Sequence, residues 1–127
     1  MPHLHSIKLE RQNFAFTKII ILRNSYPLDS KYKSMIESLG MMIHNNGLVS
    51  ALSLIKNSDK TENALIYQHL AEWVNQKKVI GFAFDLNNDD LLENVLAIDD
   101  SRVILALTIE ILSLTDAMKE ILKAEVS

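Results

Sequence analysis

A chain of 127 residues is the size of one domain and long enough to bury a core without staples. With 48% hydrophobic and 23% charged residues and a net charge of −3, it is neither a disordered polymer nor a strongly basic nucleic-acid binder. Three Gly and two Pro are too few for the turns of a many-stranded sandwich, and the lack of Cys excludes disulfides, thiolate metal sites and a cysteine nucleophile. The expectation is an all-α fold: a single compact bundle of about five to six helices over residues 1–127, closed by a long C-terminal helix. No apolar run approaches a membrane span, and residues 1–12 lack the apolar core of a secretion signal. A soluble, cytoplasmic protein without membrane contact is therefore expected.

Leu4, Ile7, Phe14, Ala15, Ile21 and Leu22 recur at helical spacing, widened by Leu9, Phe16 and Ile20. This predicts a first helix over 4–24, buried on two sides. Tyr26-Pro27 ends it, because a residue before proline leaves the α region, and Asp29 or Ser30 can cap a second helix over 30–44. Asn45-Asn46-Gly47 reads as a sharp helix-to-helix corner, and Leu48, Ala51, Leu52 and Ile55 carry a third helix to Lys56. Asp59 with Glu62 three residues on resembles a capping box for a fourth helix ending near Lys77. Residues 79–86, with Gly81, Phe82 and Phe84, fit either a short strand or an irregular apolar segment. Asn87 to Asp90 supplies caps for a short helix holding Leu91, Leu92, Val95 and Leu96. Asp99, Asp100 or Ser101 opens the last helix, 101–124. Its first half is apolar almost all round, which predicts that half at the centre of the bundle.

Charge is unevenly placed along the chain. Residues 1–60 carry eight Lys/Arg against four Asp/Glu, and residues 61–127 carry five against twelve. Such a chain reads either as chance and helix-end acids, or as a module with a basic and an acidic side, suited to polyanions or head-to-tail stacking.

Catalytic constellations are missing. His3-x-His5 sits at a terminus, where a frayed tail is the simpler reading, and His44 and His69 have no acidic residue at i±4 to orient them. Asp85-x-Asn87-x-Asp89 begins like a calcium loop, but Asp90 stands where that loop needs Gly and Leu96 where it needs Glu, so turn and cap explain it better. Glu110, alone in an apolar run, is expected to be paired with a cation or backbone donor. No phosphate-cradling, zinc-hydrolase or nucleophile-elbow motif occurs, so no enzyme, no metal and no cofactor is expected. Binding remains, and the basic half offers Arg11, Lys18, Arg23, Lys31, Lys33, Lys56 and Lys60 as candidate phosphate contacts. Lys31 and Lys33 open the second helix, where free amides could add to anion binding. No aromatic stretch accompanies them, so base-stacking readout is not indicated.

Residues 32–48, Tyr-Lys-Ser-Met-Ile-Glu-Ser-Leu-Gly-Met-Met-Ile-His-Asn-Asn-Gly-Leu, resemble the central motif of the small helical subunit of the type III-B (Cmr) CRISPR RNA-guided effector complex. The most specific part is Asn46-Gly47-Leu48. Leu9 to Gln12, the Leu70 to Val74 helix with its Trp, and Glu110 followed by Leu112, Leu114 and Lys119 extend the resemblance to nearly the full length. Gly40 stands where the family often has Pro, and Ala117 where it tends to have Trp.

The resemblance implies a non-catalytic subunit of an antiviral ribonucleoprotein. It would stack in several copies along the guide-target RNA duplex, with the other subunits of the effector complex, the guide RNA and the target RNA as partners. The RNA-binding residues it implies are Lys31 and Lys33, then Lys18, Arg23, Lys56 and Lys60. The alternative is a small helical adaptor that binds another protein and never touches nucleic acid. Salt dependence separates the two, because phosphate contacts weaken steeply with salt and an apolar groove does not.

Overall fold

Helices form where apolar residues recur every three or four positions, and six do so among residues 7–77, 79 and 81–126, which the structure, a computed structural model, describes. In chain order they are α1 (Ile7–Ile20), α2 (Leu28–Asn46), α3 (Leu48–Lys56), α4 (Thr61–Lys77), α5 (Leu91–Leu96) and α6 (Ser101–Glu125). No strand occurs among the described residues, and the all-α bundle with a long final helix is as expected. No helix is long and apolar enough to cross a membrane.

The long α6 packs along both α1 and α2, so its Leu107, Ile111, Leu114, Met118 and Leu122 form the spine of the core. Tyr32, Ile36, Leu39 and Ile43 of α2, Leu52 and Ile55 of α3, and Ile66, Leu70 and Trp73 of α4 close around it. Each fully buried Leu or Ile stabilises by about 2 kcal/mol, so this cluster outweighs any single polar contact.

Several local expectations are corrected. The first helix stops at Ile20; residues 21–24 form a turn, Leu22 N–H donating to the Ile19 carbonyl at 2.8 Å, and Asn24 has φ 72°. Residues 4–6 lie outside the described residues, as do His3 and His5. Instead of burial on two sides, α1 buries only Ala15 and Ile19 fully, because α4 and α6 cover one side and leave Leu9, Phe16 and Ile21 exposed.

The second helix begins at Leu28, two residues early, and neither Asp29 nor Ser30 caps it. Leu28 and Asp29 N–H donate to the Ser25 carbonyl, and Lys31 N–H to the Pro27 carbonyl. Ser30 N–H donates to Asp29 Oδ1 at 2.7 Å. At the start of α4, Ser58 rather than Asp59 takes the bonds: Lys60 N–H and Asn63 Nδ2 both donate to its hydroxyl.

Gly47 serves as C-cap of α2 and N-cap of α3 at once, with φ 90° and ψ 164°. That backbone conformation is essentially restricted to glycine, and the corner is as sharp as expected. Of the segment 79–86, residues 79 and 81–86 adopt the irregular option, with Phe82 and Phe84 buried and stacked at 6.0 Å. Gly81, at φ 85°, lets this strap cross α6, since a Cβ there would lie 2.8 Å from Val103 Cγ2.

Asp90 caps α5 by accepting from Glu93 N–H, and also accepts from Lys56 Nζ and the Tyr67 hydroxyl, both at 2.8 Å. Tyr67 in turn accepts from Leu92 N–H, so one carboxylate ties α3, α4 and α5 together. Asp100 caps α6 through Arg102 N–H. The first half of α6 is not the centre of the bundle. Leu105 is 60% and Ile109 54% exposed, because the core gathers along the middle and second half, where α1 and α2 both reach.

Candidate nucleic-acid interface

The uneven charge of the sequence largely neutralises inside the molecule. Arg11 Nε and Nη2 grip both oxygens of Glu110 at 2.8 and 3.0 Å, and Trp73 Nε1 donates to the same carboxylate. Burial opposes ionisation of Glu110, but the Arg11 and Trp73 bonds outweigh it and hold the carboxyl below its usual range. Lys18 pairs with Glu72 at 2.7 Å and lies over the Phe14 ring; Lys77 pairs with Glu10 and lies over Trp73. Arg23 pairs with Glu125 at 2.5 Å, and Lys56 with Asp90. These pairs join the two halves of the chain, so charge segregation along the sequence does not become one basic side and one acidic side.

Beyond Arg11, the six cations that the resemblance implies divide into two groups. Lys18, Arg23 and Lys56 are held by carboxylates, and Lys33 Nζ donates to the Val126 carbonyl at 3.0 Å. An outside phosphate would have to replace those partners. Lys31 and Lys60 are exposed, and among the described residues no ion pair holds either ammonium. Although they come from different helical segments, both line one open cleft of about 640 Å³ with Pro27, Leu28, Asp59, Thr61 and Glu62. The chain brings them together because the turn before α2 lies beside the start of α4.

Free amides at the start of α2 contribute nothing here, since those of Leu28, Asp29, Ser30 and Lys31 already have acceptors. Asp59 and Glu62 on the rim balance the two lysines. The cleft can therefore hold a phosphate by close contact but exerts no strong long-range field. Tyr26, read in the sequence only as part of the helix stop, is 82% exposed on the turn that leads into Pro27 and Leu28 of the cleft wall. A Tyr-Pro dipeptide marks the turn but does not say which way the ring faces.

The remaining candidates are structural. His69 is buried with Nδ1 2.7 Å from the Tyr32 hydroxyl, and His44 is exposed. Asp85 and Asp89 satisfy amides of their own loop, Asp85 accepting from Asn87 N–H and Asp89 from Asp85 N–H. No group of three or more His, Asp or Glu able to hold a metal occurs among the described residues.

A family model described as CRISPR-associated protein (Cas_Cmr5) matches residues 7–125. The fold is similar to that in the X-ray crystal structure of a CRISPR-associated Cmr5 family protein from Thermus thermophilus. The two are 19% identical with a TM-score of 0.78, over 97% of this chain and 100% of that one. No curated protein matches the sequence.

Proposed function

The chain belongs to the Cas_Cmr5 family of CRISPR-associated proteins, and from that premise we propose that it is a non-catalytic small subunit of a type III-B effector complex. In this reading it stacks in several copies along the guide-target RNA and contributes sequence-independent phosphate contacts. The family match over 7–125 carries the assignment to the complex. The phosphate role is supported by Lys31 and Lys60, exposed cations on one cleft.

A charge-balanced cleft binds one phosphate weakly, but copies arranged along one RNA multiply a weak contact without strengthening any single one. Lys18, Arg23, Lys33 and Lys56 stand behind this pair, because each would have to leave an internal partner before meeting RNA. The uncovered Leu105 and Ile109 favour protein contacts, with a neighbouring copy or a larger subunit, alongside the RNA role.

The test is the double variant Lys31→Ala with Lys60→Ala in the assembled complex, titrated with target RNA across a salt series. Weaker binding at every sequence is expected, with the slope of log affinity against log salt reduced by about one to two. Unchanged affinity and slope would remove this cleft from the interface and leave the adaptor reading.

A further inference from the structure

Tyr26 differs from the two other tyrosines of the chain. Tyr32 is fully buried against His69, and Tyr67 is bonded to Asp90, whereas Tyr26 is 82% exposed. Among the described residues no aromatic or cationic group lies against its ring. The ring nevertheless stands on a well-bonded turn. Ser25 N–H donates to the Leu22 carbonyl at 2.9 Å, and Leu28 N–H to the Ser25 carbonyl at 2.8 Å.

The next residue, Pro27, is a wall of the cleft, and its carbonyl accepts from Lys31 N–H at 3.0 Å, one helical turn away. The exposed ring is thus the chain neighbour of the apolar Pro27 and Leu28 wall, in a cleft that two ammonium groups also line. Such a set of groups suits the base, sugar and phosphate of one unpaired nucleotide.

We propose that Tyr26 is a stacking platform for an unpaired base of single-stranded RNA whose phosphates rest on Lys31 and Lys60. The inference rests on the phosphate reading of the cleft and adds a preference to it. Bases inside a duplex are already stacked and cannot reach the ring, so the site selects single strands or flipped nucleotides over continuous duplex. Because the turn is bonded in place, little ordering is needed when the base arrives.

The experiment uses the full-length protein at low ionic strength with fluorescein-labelled oligo(U) of about 12 nucleotides, alone or annealed to oligo(A). Tyr26→Ala is expected to weaken the single strand by about fivefold or more and leave the duplex unchanged, with Tyr26→Phe like the wild type. A 5-bromouridine strand is expected to photocrosslink to the peptide holding Tyr26. Equal single-strand affinity for Tyr26→Ala and wild type, equal losses on both strands, or failure of Tyr26→Phe to restore binding would each overturn the proposal. Lys31→Ala with Lys60→Ala separates the two ideas. If that variant alone loses binding, the phosphate reading stands and stacking falls; if wild-type protein does not bind oligo(U), stacking falls, and the salt series on the assembled complex decides the phosphate reading.

Discussion

His69 shares a hydrogen bond with Tyr32 inside the bundle, and burial pushes its pKa down to about 4, with Glu72 opposing the shift and Lys18 adding to it. The unfolded chain protonates this ring near pH 6.5, so between the two values the unfolded state binds the extra proton. Stability contributed by neutral His69 is therefore complete above about pH 6.5 and falls as pH drops towards 4, by up to about 3 kcal/mol. The held-down carboxyls of Glu72, Glu110 and Asp90 lose their contribution in the same direction, but only below the ordinary carboxylate range. Urea midpoints are expected to fall between pH 7 and pH 5 in the wild type and to stay nearly level in His69→Gln. An equal fall in both would assign the slope to another group. Residue chemistry of this kind was half legible in the sequence. That Glu110 needed a partner followed from its apolar neighbours, but Arg11, 99 positions away, is a tertiary fact no local spacing reveals.

At the level of elements, the corner between α2 and α3 depends on one backbone conformation. A Cβ at Gly47 would meet nothing within 4 Å, so any cost of substitution there is purely conformational. Gly47→Ala is expected to destabilise by about 1–3 kcal/mol. Gly47→Asn should not rescue, because asparagine favours the left-handed helical region and not ψ near 164°. Equal melting temperatures for wild type and Gly47→Asn would contradict this account. Helix existence and type were readable throughout, since periodic apolar residues mark them. Helix ends were less so: Ser25 and Ser58 accept the junction bonds where Asp29 and Asp59 carried the capping signals, whereas the corner at Gly47 was readable. The strap at 79–86 stayed ambiguous because Phe82 and Phe84 alternate like a strand yet have no neighbouring strand to pair with.

Across the whole molecule, the charge pattern illustrates how a linear signal can mislead. Eight cations in the first 60 residues suggested a basic face, yet pairs such as Arg11 with Glu110 and Lys18 with Glu72 fold that excess back onto the acidic half. Two lysines on one cleft remain from the broader nomination, and sequence spacing could not have picked them because one precedes α4 and the other lies early in α2. Apolar surface shows the complementary error: Leu105 and Ile109, one helical turn apart, read as core and stand in water. Removing them is expected to cost little, and Leu105→Ser with Ile109→Ser should each keep stability within about 0.5 kcal/mol of wild type. A large drop in the melting temperature of either would show that they support the fold. Their exposure also governs how the isolated chain behaves in concentrated solution. Near its isoelectric point of about 5.8 the protein loses the mutual repulsion that keeps molecules apart while this greasy strip stays uncovered. A solubility minimum close to that pH, relieved by the double serine variant, is the colloidal signature of a helix face that its own bundle leaves bare.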